Sequence, residues 1–354
     1  MVRHPLVVCA LILSAICCAF GAELEPDRPG QESSITRAVF AGNRLWLLTD
    51  AGTLSSIEEG SPDSIDAELP EPVFDLWVQE GAPAILTGRR GGGGDWTLRL
   101  WAEGEWKTQA HIRTRGDSLI GAAAYGGSTT LLTRHRLIEV SDHRQREVPV
   151  AWSNEWRLGG IASILVTRRS VLVGINNGEW GGELKRVDRR TGAVSSIDSR
   201  LSGERCGQAP SPECDPVNAI VEEPGKRDCA VLAVGLVHMM TQGGIFEVCG
   251  NAVRALYTRP VRWDSAGKAV PSSDAYSTLP FFGASAVGQD LWAVGLDGIY
   301  KVGAGGAAMV TPLPAFQRIG GVSVSFALPG VVLVLTDVNQ RRSLSGSVPL
   351  MVPR

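Results

Sequence analysis

The chain has 354 residues, 44% of them hydrophobic and 20% charged, and this apolar fraction excludes a disordered polymer because it is ordinary for a packed core. Lys and Arg number 34 against 37 Asp and Glu, so the net charge of −3 leaves no basic surplus for a phosphate backbone and excludes nucleic acid as a partner. The 42 glycines mark either many turns or low complexity.

Residues 1–22 have the features of a secretory signal peptide. A short polar start precedes an apolar segment that runs from Leu6 to Phe20. Small residues at Ala19 and Gly21 favour cleavage after residue 21, and cleavage after Ala22 is the alternative. A lipid-modified Cys17 or Cys18 and an uncleaved membrane anchor are further alternatives. The sequence therefore predicts a single exported domain over residues 23–354, periplasmic or secreted, with no membrane span once the signal is removed.

The cysteines agree with export. Three leave with the signal peptide, and an even number remains: Cys206, Cys214, Cys229 and Cys249. In an oxidising compartment this predicts two disulfides, for which three connectivities are possible. We favour Cys206–Cys214, which closes a short loop, and Cys229–Cys249, which joins two neighbouring antiparallel strands. The competing interpretation, a metal site, lacks any Cys-x-x-Cys pair.

Short apolar strands separated by glycine-containing turns recur along the chain. Segments 42–54 and 288–300 share one plan, in which a strand beginning Leu-Trp lies between two turns. In chain order, the first strands of seven such units are predicted at Ile35–Phe40, Val73–Val78, Leu119–Ala124, Ile161–Val166, Val217–Val221, Phe282–Val287 and Val322–Phe326. No long stretch has the 3.6-residue period of an amphipathic helix, so an all-β protein is predicted.

The spacing of the units predicts how the strands assemble. The units begin roughly 40 to 65 residues apart, and each has room for four short strands. In the fourth unit we place them at 161–166, 170–174, 183–188 and 193–197, with a turn at Arg190-Thr191-Gly192. Repeats of this kind are typical of propeller blades. The predicted fold is a seven-bladed β-propeller of four-stranded antiparallel blades, and a tandem pair of β-sandwiches is the alternative.

Segments 45–52 and 291–298 resemble the repeats of bacterial extracytoplasmic β-propellers, most of all those of two-component-regulator sensors. The resemblance covers the whole mature chain as architecture. The Gly-His and Trp-Asp signature of WD40 repeats is absent from the sequence. The resemblance therefore implies a fold and no particular chemistry.

The loops of such a propeller differ between its two faces. The turns between second and third strands and the links between units are long and varied, whereas the other turns are mostly tight. This asymmetry favours a binding surface on the long-loop side, with neutral drift as the alternative. The turn at 176–183 carries Trp180 among glycines, with Glu179 and Asn177 beside it, and its ring could stack on a ligand or pack against the next blade.

Other aromatic residues occur in the predicted links. Trp152, Trp156 and Trp263, the last next to Arg262, could join Trp180 in an aromatic patch that suits sugars, aromatic groups or peptide side chains. Pinning of long loops to the core is the alternative for each tryptophan. We expect Trp46, Trp77 and Trp292, which lie within strands, to belong to the core.

The second-to-third-strand turns also carry acids, at Asp50, Asp95, Glu179, Asp297 and Asp337. A converging ring of carboxylates could hold a cation, but Asp is also a common turn residue for local reasons. The sequence contains no calcium-loop motif and no His-Glu-x-x-His motif. We therefore predict no metal and no cofactor.

Catalysis has little motif support. His238 follows a strongly apolar strand and could act as a general base at the funnel rim, with Glu179 and Asp297 as partners, but we favour a structural role for this histidine. The sequence thus favours binding of a small molecule, glycan or envelope protein through the long-loop side. A hydrolase or lyase with its active site at the central funnel and an envelope interaction scaffold are the alternatives.

Overall fold

The computed structural model describes residues 33, 35–61, 63–91, 93–141, 144–152, 161–197, 210–238, 240–265, 269–273, 277–303, 305–313, 322–326, 328, 330–336 and 350–354. The chain divides into two compact units, Met1–Ser33 and Ser34–Arg354. The predicted signal peptide lies outside the described residues, and every strand belongs to the second unit. Among the described residues, no helix is long and apolar enough to cross a bilayer.

In the described part of the chain, six sheets each contain four antiparallel strands, paired in a simple meander. The first three blades consist of β1 (Ile35–Ala41), β2 (Arg44–Thr49), β3 (Leu54–Glu58) and β4 (Ser64–Asp66); β5 (Val73–Gln79), β6 (Ala82–Thr87), β7 (Trp96–Ala102) and β8 (Glu105–Ile112); and β9 (Leu119–Tyr125), β10 (Ser128–Thr133), β11 (Arg136–Ser141) and β12 (Arg144–Pro149).

The next three blades follow the same plan. They consist of β13 (Ile161–Val166), β14 (Ser170–Asn176), β15 (Gly182–Asp188) and β16 (Val194–Ser196); β17 (Val217–Glu222), β18 (Cys229–His238), β19 (Met240–Cys249) and β20 (Ala252–Tyr257); and β23 (Phe281–Val287), β24 (Asp290–Gly295), β25 (Gly298–Gly303) and β26 (Gly306–Pro312). A small hairpin, β21 (Val261–Trp263) with β22 (Ala269–Pro271), lies in the link between the last two.

The prediction of seven four-stranded blades is wrong, because the described residues form a six-bladed propeller of four-stranded sheets. The seventh repeat unit forms instead a three-stranded sheet of β27 (Val322–Ser325), β28 (Val331–Thr336) and β29 (Leu350–Pro353) in the described part of the chain. The Ser325 hydroxyl donates to the Ala38 carbonyl at 2.9 Å, which joins this sheet to the first blade. The apolar runs of this unit look like those of the others, and local pattern does not reveal how many strands pair with them.

The core lies between adjacent sheets, and the first strand of one sheet closely approaches the first or second strand of the sheet before it. A Cβ on Gly174 would lie 2.7 Å from Val217, and one on Gly283 would lie 2.6 Å from Val324. Glycine is therefore required at both positions for the blades to approach this closely. Between the first two blades, Trp46 packs edge-on against Trp101 and Trp106, with ring centroids 4.9 and 5.2 Å away. The prediction that Trp46 belongs to the core is confirmed.

The predicted hairpin of the fourth unit is confirmed, with strands within two residues of the expected bounds. Asp188 organises its turn by accepting hydrogen bonds from the Arg190 and Thr191 amides and from the Thr191 hydroxyl, at 2.7 to 3.0 Å. The Thr191 bonds lower the pKa of Asp188. Gly192 has φ +71° and lies so close to Pro149 that no side chain fits.

The predicted Cys229–Cys249 disulfide is confirmed and joins residues directly opposite each other on β18 and β19. Cys214 is also disulfide-bonded, and its predicted partner Cys206 lies outside the described residues. Replacing both Cys229 and Cys249 with Ser should lower the free energy of unfolding by about 3 kcal/mol, because the bond closes a loop of moderate length. Urea unfolding of the double variant under oxidising conditions measures this loss, and an unchanged midpoint would contradict it.

Candidate functional site

The meander gives the propeller two different faces. Turns between first and second strands and between third and fourth strands lie on one side, which we call the tight-turn face. Turns between second and third strands and the links between blades lie on the other, which we call the long-loop face. The links differ in length, from short ones at 67–72 and 113–118 to long ones at 197–216 and 258–280, whereas tight turns such as 42–43 and 103–104 span two residues.

Trp180 stands out on the long-loop face. It ends a single 3₁₀ turn, Gly178–Trp180, between β14 and β15. The turn is closed by the Asn177 amide, which donates to Gly181 at 2.9 Å, and by the Gly181 amide, which donates to Gly178 at 3.0 Å. The Trp180 side chain is 83% exposed, the highest value among the large hydrophobic side chains of the described residues. Glu179 beside it is also exposed.

Two glycines press this loop onto the segment that precedes β17. The Gly182 amide donates to the Cys214 carbonyl at 2.9 Å. A Cβ on Gly181 would lie 2.5 Å from that same oxygen, and one on Gly182 would lie 2.3 Å from the Asp215 carbonyl oxygen. The position of the exposed ring is therefore set by backbone packing, and the loop does not need its tryptophan for anchorage.

Below the loop, two asparagines connect three blades. Asn176 donates from Nδ2 to Asn218 Oδ1 at 2.6 Å, and its own Oδ1 accepts the Gly178 amide at 2.8 Å. Asn218 in turn donates to the carbonyls of Gly235 and Phe281, each at 2.8 Å. This network supports the Trp180 loop on a rigid base. The sequence contains no signal for Asn218, because two of its three partners, Asn176 and Phe281, come from other blades.

The surroundings of Trp180 carry acidic groups. Asp215 is 5% exposed, and burial raises the pKa of its carboxyl although the Ser211 amide donates to it at 2.8 Å. Glu179, Glu183 and Glu213 occur on the same two segments. An exposed indole ring with the exposed Glu179 beside it in the chain can stack on a ring and hydrogen-bond to hydroxyl or amino groups.

The other predicted ligand-binding tryptophans are packed. Trp152 is partly buried against the cluster between the third and fourth blades. Trp263 is partly buried against the cluster between the fifth and sixth blades, while Arg262 next to it is exposed. Trp156 lies outside the described residues. The rings of Trp152 and Trp263 thus lie between different pairs of blades, and each ring packs against the hydrophobic core there.

The two predicted catalytic acids differ in their surroundings, because Asp297 is paired and Glu179 is exposed. Asp297 pairs with Arg259 and accepts a hydrogen bond from the Tyr300 hydroxyl at 2.9 Å. Burial, together with Asp297, raises the pKa of Tyr300. Glu179 is exposed on the Trp180 loop, and the side chain of His238 lies outside the described residues, as does Asp337. Asp297 therefore already holds two partners within its own blade and link.

Sequence reasoning missed a buried acid on the same face. Asp117, with a side chain 3% exposed, lies in the link before β9. Its carboxylate contacts His135 Nδ1 at 3.1 Å, accepts the Ser118 amide at 3.0 Å and binds the Thr133 hydroxyl. The imidazole of His135 is 70% exposed. Nothing local singles out Asp117, because two of these partners come from the next hairpin.

Among the described residues, Glu223, Cys229 and Cys249 bring possible metal ligands together. The two sulfur atoms are bonded to each other in the disulfide and do not offer thiolates. Lys226 binds both Glu223 and Glu247, so this cluster is an ion-pair network on the tight-turn face.

No protein-family model matches the chain, and no curated protein matches it in sequence. Solved structures do match. The extracellular domain of a putative hybrid two-component system from B. thetaiotaomicron is 14% identical with a TM-score of 0.49, and the match covers 87% of this chain. The chain spans only 37% of the length of that protein.

Two other propeller structures match more of their own length. Sqt1 of Chaetomium thermophilum is 14% identical over 90% of this chain and 82% of its own, with a TM-score of 0.53. A catalytically inactive virginiamycin B lyase of Staphylococcus aureus, solved with quinupristin, is 12% identical with a TM-score of 0.51. The match covers 88% of this chain and 95% of the lyase. The predicted resemblance to sensor propellers is thereby confirmed at the level of the fold, and these identities carry the fold alone.

Proposed function

We propose that this protein is an exported binding propeller that recognises a glycan through its long-loop face, with Trp180 as the stacking platform. The exposure of Trp180 carries the proposal, because an 83% exposed indole on a loop held by its own backbone has no packing role. Asn177 and Glu179 lie beside it as hydrogen-bonding groups for sugar hydroxyls. A small aromatic molecule or an envelope protein would use the same surface.

Export to the periplasm or the medium belongs to this proposal. The Cys229–Cys249 bond supports it, since disulfides persist in oxidising compartments. The extracellular setting of a similar propeller agrees with it. Mass analysis of the mature chain tests it, and retention of residues 1–22 in a protein with free thiols would contradict it.

Replacing Trp180 with Ala should weaken binding of a recognised sugar by about thirtyfold, the loss typical of a central tryptophan contact. Isothermal titration of the wild type with chito-, cello- and malto-oligosaccharides identifies a sugar that binds. Titration of the Trp180→Ala variant with the same sugar then measures the loss of affinity. The thermal midpoint should change little, because the side chain is exposed.

Ile65→Ala is the matched control, since it removes another exposed apolar side chain from the outer strand β4. It should leave sugar affinity unchanged. Equal affinity of wild type and Trp180→Ala for the same sugar would overturn the stacking role. Failure of every sugar to bind the wild type would overturn the glycan class.

A hydrolase or lyase is the second candidate. The Asp117 carboxylate fixes Nδ1 of His135 and leaves the other ring nitrogen toward solvent, an arrangement used by general bases. Against it, Asp297 is already bound to Arg259 and Tyr300. Binding is therefore favoured.

A further inference from the structure

We propose that the long-loop face carries a second, separate binding surface on its second and third blades, which takes an acidic peptide segment of a protein partner. The surface is formed by four exposed side chains, Arg89, Arg90, Arg113 and Arg134, which we call the arginine patch. No ion pair or hydrogen bond within the described residues uses their guanidinium groups. The proposal does not rest on the Trp180 loop.

Three chain segments bring these arginines together. The turn between β6 and β7 supplies two of them, the link between β8 and β9 supplies Arg113, and the turn between β10 and β11 supplies Arg134. The Leu119 amide donates to the Arg90 carbonyl at 3.4 Å, and the Arg134 amide donates to the Ser118 carbonyl at 3.1 Å. The patch is thus assembled by backbone contacts between neighbouring loops.

Buried charges beneath the patch are already compensated. Arg136 pairs with Glu147 at 2.9 Å and donates to the carbonyls of Arg113 and Thr114. Asp117 is bound to His135 and Thr133. The carboxylates of Asp117 and Glu147 are thus bound to other groups of the described residues than the four exposed guanidinium groups.

The exposed charges at the patch are mostly positive. Arg115 adds to them, although it lies 3.5 Å from Glu147. Asp95 is exposed in the first of the three segments, and Glu71 accepts a hydrogen bond from Thr87 at the edge. A chain with a net charge of −3 therefore concentrates unpaired positive charge on one part of one face.

The exposure of the four patch arginines determines which class of ligand the patch can bind. A single exposed ion pair contributes little to affinity, so a ligand must engage several arginines at once. Guanidinium groups bind carboxylates through two parallel hydrogen bonds. No exposed aromatic ring of the described residues stands in these three segments to stack on a sugar or a base, since Trp96 is buried. Flexible glutamate and aspartate side chains on an extended peptide fit this surface best.

The test uses a fluorescein-labelled octaglutamate peptide and fluorescence anisotropy at low salt. Changing all four patch arginines to Ser should weaken binding at least about tenfold. The matched control changes four exposed arginines of the tight-turn face to Ser, namely Arg168, Arg169, Arg190 and Arg227. It alters the net charge equally and should leave affinity within about twofold, because these groups lie outside the patch.

Each other outcome overturns the proposal. Equal weakening in both variants would show attraction to net charge alone. Tighter binding of oligogalacturonate or of single-stranded DNA than of octaglutamate would assign the patch to a glycan or a nucleic acid. No binding of octaglutamate to the wild type would leave the patch without this role. The variant that lacks the four patch arginines should bind the recognised sugar with the affinity of the wild type. Failure of the acidic-peptide proposal is therefore distinguishable from failure of the Trp180 proposal.

Discussion

Replacing Asp117 with Ala should lower the free energy of unfolding by about 3 to 5 kcal/mol, which is the cost of breaking a buried ionic network from one side. The Asp117 carboxylate is 3% exposed and is bound by the Thr133 hydroxyl, by His135 and by the Ser118 amide. Its loss also removes a charge 3.5 Å from the buried Arg136 guanidinium. Urea denaturation measures the effect.

The control for this substitution is Asp66→Ala, which removes an exposed carboxylate from the outer strand β4. A change of no more than about 0.5 kcal/mol is expected there. Similar losses in the two variants would show that the Asp117 network does not hold the third blade.

The same residue predicts a pH dependence. Burial by itself would raise the pKa of Asp117, but the bonds from Thr133 and His135 outweigh burial, and the pKa lies below its usual value. A depressed pKa means that the carboxylate stabilises the fold above the unfolded-state pKa of about 3.9, and this stabilisation is lost as the pH falls through the folded-state value. The stability difference between wild type and Asp117→Asn should therefore shrink below about pH 4. A constant difference would contradict this linkage.

Replacing Gly182 with Ala should destabilise the fold by about 2 to 3 kcal/mol, because overpacking against rigid backbone forces the loop to move. The added methyl group would lie 2.3 Å from the Asp215 carbonyl oxygen and 2.5 Å from that of Ile175. The Trp180 loop would shift with it, and sugar binding should fall together with stability. Urea denaturation and titration with the recognised sugar measure both effects.

Gly91→Ala is the matched control, because that glycine belongs to another turn of the long-loop face and has no atom within 4 Å of the new methyl group. It should change stability by less than about 1 kcal/mol. A Gly182→Ala variant as stable as Gly91→Ala would contradict the close packing of the Trp180 loop on the segment before β17.

The propeller strands were predictable because their signals are local. The first strand of the fourth blade has the predicted bounds, 161–166, and the others agree within one or two residues. Alternating apolar residues bounded by glycine turns suffice for this. The blade count was wrong because the last unit has the same apolar runs, yet it pairs as three strands among the described residues.

The candidate site was only partly predictable. Trp152, Trp180 and Trp263 look alike in the sequence, since each lies in a predicted loop or link. Trp152 and Trp263 pack between the two blades that their links join, whereas Trp180 is exposed because glycines hold its loop. Exposure depends on neighbours that are far away in the chain, and a single sequence does not show them.

The sequence by itself determined the all-β repeat architecture, the Cys229–Cys249 pair and the contrast between tight turns and long links. All three follow from short-range patterns of polarity, glycine and cysteine. Only the tertiary structure decided the number of complete blades, the Asn176–Asn218 contact, the burial of Asp117 and the arginine patch. Each of these joins segments from different strands or blades, and their meeting depends on how the whole chain packs.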